Sequence, residues 1–290
     1  MYPSISNYIY SIMNTSQNLL SLKNIDYIRE NFSSNRPKIF VGNFSVVFKV
    51  INTRTNNYYA IKCFCKNEDY RMNRYLNLAE FMKKLNSRYF ATFEYLDNEL
   101  IVFSKHTKAE AYPILLMDWV EGQTLGSYIS LACNQNYENI NNLLIQLDNL
   151  QQFLKTNNII HGDLCHDNII VSNKNTIILI DYDDIYLNSL NNYPPKGIGK
   201  SAYQHPERSR LSFSYKIDYF SILVIKISLL AILHKPELYK KYNTSQNIIF
   251  NKNDFINPKD SNLIQDIKSV NNESLNYLLY ELETMLTKYD

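Results

Sequence analysis

Residues 159–170 read IIHGDLCHDNII. Two β-branched apolar runs enclose His161, Asp163, Asp167 and Asn168. Gly, Asp and Asn are turn formers, so the stretch suits a polar hairpin. It also suits a catalytic loop, in which Asp163 receives a proton and Asn168, five residues on, holds a metal ion. The wider sequence separates the two. Thirteen residues after Asn168 the run TIILID closes on Asp181 and opens DYDD. Asn168 and Asp181 offer the hard oxygen donors that Mg²⁺ takes. With an apolar strand on either side, that spacing of Asp163, Asn168 and Asp181 favours the catalytic loop over a chance turn.

Working outward, the chain divides by pattern. Residues 1–36 are polar with scattered apolar positions and end at the breaker-rich SSNRP, which predicts an N-terminal extension of short helical turns. From Lys38, KIFVGNFSVVFKV and NNYYAIKCF are β-branched and aromatic runs joined by the turn-prone NTRTNN, a hairpin signature. DYRMNRYLNLAEFMKKL carries helical spacing, ATFEYL and ELIVFS read as two strands, and YPILLMDWV as a fifth. Past Gly122 the pattern is mainly helical, with an irregular stretch over Leu187–Arg210, an apolar helix over Tyr219–Leu233 and a last helix over Asn272–Leu286. The expectation is an α+β fold of two lobes: an extension over 1–36, a strand-rich lobe with one helix over 37–117, and a helical, abbreviated lobe over 118–290.

Composition narrows the function. With 45% hydrophobic and 20% charged residues, the 290-residue chain can bury a real core. A formal net charge of +2 supplies no basic field for nucleic acid. Four cysteines in so long a chain make no disulfide framework, and Cys63-Phe64-Cys65 has no partner pair at zinc spacing. Alternation along Ala60–Phe64 puts Cys63 and Cys65 opposite Lys62, as small buried hydrophobes. The start, MYPSISNYIYSIMNTS, has neither the basic onset nor the apolar core of a signal peptide. The run YFSILVIKISLLAIL is short for a bilayer span and holds Lys226 at its middle. A cytoplasmic protein without membrane or nucleic-acid partners is expected.

At this point the sequence resembles the protein-kinase superfamily over nearly its whole length. FVGNFSVVF is similar to the nucleotide-covering loop, YAIK to the strand bearing the phosphate-binding lysine, and LLMDWVEG to the hinge. HGDLCHDN is similar to H-R-D-x-x-x-x-N, DYD to D-F-G, SAYQHPE to the end of an activation segment, and IDYFS to the helix whose Asp218 braces the catalytic loop. HGDL, YQHPE and DYFSILVIKISLLAIL together look most like a branch of bacterial kinase-like proteins. The resemblance implies ATP and Mg²⁺ as cofactors and a protein substrate. It implies catalytic roles for Asp163, Lys62 and Asn168, and metal ligation by Asn168 and Asp181. It implies nucleotide contacts at Gly42, Val47, Ala60, Lys62, Glu80, Met117, Asp118, Val120, Ile170 and Asp181, with Glu80 as the helix partner of Lys62.

Plainer readings stand beside these. Gly42 alone suits a turn, Lys62 a solvated strand, and Asp183 and Asp184 exposed turn carboxylates. His161 is read as structural, and Cys165 and His166 as shape and surface. The chain also departs from the family pattern. Phe40 and Ser45 stand where loop glycines are usual. Gly162 replaces the arginine before the catalytic Asp, removing a local receiver for a phosphorylated activation loop. Cys165 stands where Ser/Thr kinases carry a lysine that touches the γ-phosphate, and Asp183 replaces the D-F-G glycine. An active Ser/Thr-type protein kinase is the leading expectation. The alternatives are a small-molecule phosphotransferase of aminoglycoside or choline kinase type, and a nucleotide-binding pseudokinase scaffold.

Overall fold

Apolar alternation and helical periodicity become two compact units, Met1–Val120 and Glu121–Asp290, in a computed structural model. It describes residues 2–287 apart from 43, 105–106, 136–139, 191, 193–196 and 211–212. Part of the irregular stretch expected over Leu187–Arg210 therefore lies outside the described residues.

The first unit begins with α1 (Ile5–Ile12) and α2 (Thr15–Asn18). Ser4 caps α1 reciprocally: its hydroxyl accepts from the Asn7 N–H, and the Asn7 side chain accepts from the Ser4 N–H, satisfying two otherwise orphaned donors. There follow β1 (Ile25–Tyr27), β2 (Ile39–Val41), β3 (Ser45–Asn52), β4 (Tyr58–Phe64), α3 (Arg71–Leu85), β5 (Phe93–Ser104) and β6 (Thr107–Asp118). The antiparallel sheet runs β1-β3-β4-β6-β5, with β2 also paired to β3. It has six strands rather than five. β1 comes from the N-terminal extension, the run KIFVGNFSVVFKV divides into β2 and β3, and the two strands expected at ATFEYL and ELIVFS are one. The polar Asp97-Asn98 pair that looks like a turn is an irregularity within β5, where register shifts between Leu96 and Leu100 and Asn98 sits at φ +51°. Asparagine tolerates that left-handed backbone, and bulges accommodate it.

That irregularity has a purpose in packing. It carries Glu99, only 3% exposed, to the chain ahead of β1, where its carboxylate accepts from the Ser21 N–H and hydroxyl and from the Leu22 N–H at 2.7–3.1 Å. Tyr8 and Ile12 of α1, both fully buried, join Val46, Phe48, Ile61 and Cys63 in one core, and the Tyr8 hydroxyl donates to the Phe64 carbonyl at 2.6 Å. Each such apolar side chain contributes roughly 1.5–3 kcal/mol by leaving water. The extension is thus an integral cover for one face of the sheet.

The second unit holds β7 (Gly122–Thr124), α4 (Leu125–Gln135), α5 (Ile140–Thr156), β8 (Ile169–Ser172) and β9 (Ile177–Leu179). Then come α6 (Lys216–His234), α7 (Glu237–Tyr242), α8 (Lys252–Ile256), α9 (Asn262–Lys268) and α10 (Glu273–Thr287). β7, β8 and β9 form a small antiparallel sheet. Gln146 of α5 grips its hairpin, donating to the Asn175 carbonyl at 2.7 Å and accepting from the Ile177 N–H at 2.9 Å. α6 is the one helix among the described residues that is long and apolar enough to cross a membrane. It is apolar all round because it is enclosed, packing against α5 and α10. Lys226 in its middle bonds Asp148 of α5 at 2.5 Å.

The Glu99 clasp generates a prediction. Glu99→Ala leaves three donors without their acceptor, and urea unfolding should show a loss of about 2–4 kcal/mol with faster proteolysis ahead of β1. An unchanged midpoint and cleavage rate would contradict the clasp.

Candidate active site

The sequence-predicted residues fall in both units, and each unit organises its own set. In the first, cross-strand register is decisive. Phe40 pairs with Val47, Val47 with Lys62, Lys62 with Leu115 and Leu115 with Tyr95; Lys49 pairs with Ala60, Ala60 with Met117 and Met117 with Phe93. Residues directly opposite share a face, so Val47, Ala60, Lys62 and Met117 lie together on the face away from Tyr8 and Cys63. Lys62 is 4% exposed. Tyr75 of α3 stacks on Tyr95 and meets Phe93 edge-on, covering the β5 end of that face. Asp118 and Trp119 donate their N–H groups to the Thr92 and Tyr58 carbonyls, and the backbone of Val120 follows.

One first-unit expectation is corrected. Glu80 does not pair with Lys62: it faces solvent and accepts from Lys84 at 2.7 Å, one helical turn on. The buried stripe of α3 is Arg71, Arg74, Tyr75, Leu78 and Met82; 73, 77 and 80 form the outer stripe. Arg71 is housed inside because its guanidinium lies 4.1 Å from the Phe64 ring centroid and donates to the Lys66 carbonyl and Tyr2 hydroxyl. The Gly42 N–H donates to the Ser45 carbonyl at 2.9 Å.

In the second unit the quoted loop is built from its brace outward. Asp218 lies in the first turn of α6, where the helix dipole favours negative charge. It is 3% exposed, and its carboxylate accepts from the His161 N–H at 2.6 Å and the Gly162 N–H at 3.0 Å. Burial raises it to about pKa 6 against the pull of those two donors and Arg208. His161 is fully buried, its Nε2 meets the Ile180 carbonyl at 3.1 Å, and burial lowers it to about 4. It is neutral and structural, as the sequence suggests. Gly162 sits at φ +81°, and a Cβ there would lie 2.5 Å from the Asp184 carbonyl oxygen. The backbone itself excludes the usual arginine.

Asp163 emerges held on both oxygens. Oδ2 accepts from Asn168 Nδ2 at 3.1 Å, and Oδ1 from the Lys200 N–H at 2.9 Å; Nδ2 also donates to the Asp163 carbonyl at 2.8 Å. Burial, then the nearby charges of Asp184 and Asp181, raise Asp163 to about 6. Asn168 and Asp181 meet at one end of the β8–β9 hairpin: the Ile180 N–H donates to the Asn168 carbonyl at 3.0 Å, and exposed Asp181 follows at φ +64°. Ile170 lies within β8, opposite Thr124 and Ile178.

Since Nδ2 of Asn168 is spent on Asp163, its Oδ1 is the atom suited to a cation, with Asp181, next after Ile180, as the carboxylate donor. Among the described residues no cluster of three His, Cys, Asp or Glu could hold a metal alone. That donor set fits Mg²⁺, which binds through one or two carboxylates plus substrate phosphates and water.

The resemblance marked SAYQHPE as the end of an activation segment, but the sequence did not single out Gly197 and Lys200 just before it. Lys200 bonds Asp163 through its backbone and forms an ion pair with Asp167 through Nζ. Gly197 donates to Asp184 Oδ1 at 2.8 Å, so Asp184 is no mere turn carboxylate. The Tyr203 hydroxyl meets His166 Nδ1 at 2.6 Å with the rings stacked. His166 and Cys165 are both buried, giving shape to the loop and none of its surface. The glycines flanking this segment in GIGKSAY were the available signal.

Asp218→Ala tests the brace. Two buried N–H groups would lose their acceptor, costing about 2–4 kcal/mol. Because Asp218 is raised in the folded protein, its contribution is complete below the unfolded value and is lost as pH rises through about 6. His161 carries the opposite dependence, fading as pH falls below its unfolded value, but it is present in both proteins and cancels to first order. The melting-temperature gap between wild type and Asp218→Ala should narrow from about pH 5 to about pH 7. A gap that widens over that range would contradict the assignment.

The family model for the protein kinase domain matches residues 34–286. A protein of Dictyostelium discoideum named "Probable serine/threonine-protein kinase" is 25% identical over 206 residues, covering 69% of this chain and 42% of that protein. The chain thus spans about two-fifths of that relative's length. With its strand-rich first unit, its helical second unit and a model match across most of its length, the chain belongs to the protein kinase domain family.

Proposed function

We propose that this chain is an ATP- and Mg²⁺-dependent protein kinase that transfers the γ-phosphoryl group to protein hydroxyls, of Ser/Thr type. The observation that carries this reading is the docking of 197–204 onto the catalytic loop, through Lys200 N–H to Asp163 and Tyr203 to His166. A segment placed beside the proton acceptor offers a peptide a surface, and it favours a protein over a small-molecule acceptor.

Phosphoryl transfer asks little covalent help and much positioning and charge neutralisation. Lys62 supplies the first unit's cation to the α- and β-phosphates. Asp163 orients the acceptor hydroxyl and takes its proton, its two oxygens fixed by Asn168 and Lys200. Asn168 Oδ1 and the Asp181 carboxylate are the residues that would hold Mg²⁺. When bound, the ion neutralises charge on the phosphate oxygens. Val47, Ala60, Met117 and the Asp118–Val120 backbone line the adenine in this reading, with Ile170 contributing from β8. HGDL and YQHP support a place in the bacterial kinase-like branch, and the free thiols of Cys63 and Cys65 support a reducing cytoplasm.

A second reading, a nucleotide-binding pseudokinase, has specific support. The Gly42 N–H is committed to Ser45, and Cys165, which stands where a lysine for the γ-phosphate is usual, is wholly buried. Mass spectrometry of purified protein after incubation with Mg²⁺-ATP and a generic protein acceptor separates the readings. Wild type should add phosphate to Ser or Thr, Asp163→Ala should lower the rate by about 10²–10⁴-fold, and Lys62→Ala should also lose transfer. No phosphate in the wild-type sample would overturn the protein-kinase reading and turn attention to small-molecule acceptors and bound nucleotide.

A further inference from the structure

The catalytic loop has a charge problem. One segment holds two carboxylates, Asp163 through the Lys200 N–H and Asp184 through the Gly197 N–H, and a phosphoryl group bringing further negative charge must enter beside Asp163. Cations aimed at the transferring group are usually the largest source of stabilisation in such reactions. The loop's own candidate position is Cys165, which is wholly buried and uncharged, so it presents nothing to a substrate.

Lys200 meets the need from outside the loop. Its N–H is bonded to Asp163 Oδ1, so its Cα is fixed one residue's reach from the proton acceptor. That approach depends on Gly199, at φ +72°: a Cβ there would lie 2.8 Å from Asp163 Oδ1 and 2.6 Å from Gln204 Nε2. The side chain is long, 29% exposed, and parked on Asp167, whose own side chain is 46% exposed. An ion pair this open contributes little to stability, and its lysine can leave it at small cost.

Resting on the kinase reading above, we propose that Lys200 is a catalytic residue: its ammonium moves from Asp167 to the transferring γ-phosphoryl group. In the step it serves, the acceptor oxygen forms a bond to the γ-phosphorus. The bond from that phosphorus to the β–γ bridging oxygen breaks, the hydroxyl proton passes to Asp163, and ADP leaves with the electron pair. Lys200 forms and breaks no covalent bond. It neutralises charge on the non-bridging oxygens and keeps its protons.

The test uses the full chain with Mg²⁺-ATP and the protein acceptor, comparing wild type, Lys200→Met and Lys200→Arg for kcat, KM for ATP and melting temperature. Lys200→Met keeps length and removes charge; it should lower kcat by about 10²–10³-fold while KM for ATP and melting temperature stay near wild type. Lys200→Arg restores charge and should recover a substantial part of kcat. Wild-type turnover with Lys200→Met equally active would overturn the role of Lys200 and leave the kinase reading standing. Losses in kcat matched by a fall in melting temperature and not recovered by arginine would also overturn it, showing a merely structural pair. A wild type without transfer would overturn the kinase reading, and this inference with it.

Discussion

A single buried carboxylate sets the geometry of the second unit. Asp218 reaches from the first turn of α6 to two consecutive N–H groups, those of His161 and Gly162. Without it the chain would bury two unpaired donors at the point where it must turn sharply enough to need a glycine. With it, the most apolar helix of the protein becomes the base on which the loop is built. Asp163 follows Gly162 directly, so its position is inherited from α6 through two hydrogen bonds and one left-handed residue. Asn168 then ties the loop's other end to the Asp163 carboxylate.

The charges around Asp163 follow from that arrangement. Three carboxylates are drawn together, and the protein answers with directed donors: Asn168 and the Lys200 N–H on Asp163, and the Gly197 N–H on Asp184. Such a cluster is costly for the fold and useful for chemistry, since a partly buried carboxylate flanked by like charges is a stronger proton acceptor than a solvated one. The first unit prepares its site differently. There a buried strand lysine, Lys62, lies on the sheet face opposite the one that α1 fills.

Much of this was legible. The spacing of Asp163, Asn168 and Asp181 is local and bounded by strands, so the sequence shows the loop directly. Asp218 was legible at longer range through its place at the head of an apolar helix. Glu80 was not, because periodicity defines stripes without saying which faces inward. Here the inward stripe carries Arg71 and Arg74, paired in part with an aromatic ring and a carbonyl that no one-dimensional pattern displays. The continuity of β5 was hidden by Asp97-Asn98, which resembles a turn until the clasp on Glu99 is seen. Lys200 lies in a stretch with neither helical nor strand periodicity, and its importance arises from one backbone N–H.

The most direct measurement is a crystal structure of the chain with Mg²⁺ and a non-hydrolysable ATP analogue. The account predicts a metal about 2.0–2.1 Å from Asn168 Oδ1 and an Asp181 carboxylate oxygen, with Asp163 still held by Asn168. A metal that touches neither residue, or nucleotide bound without any metal, would contradict it.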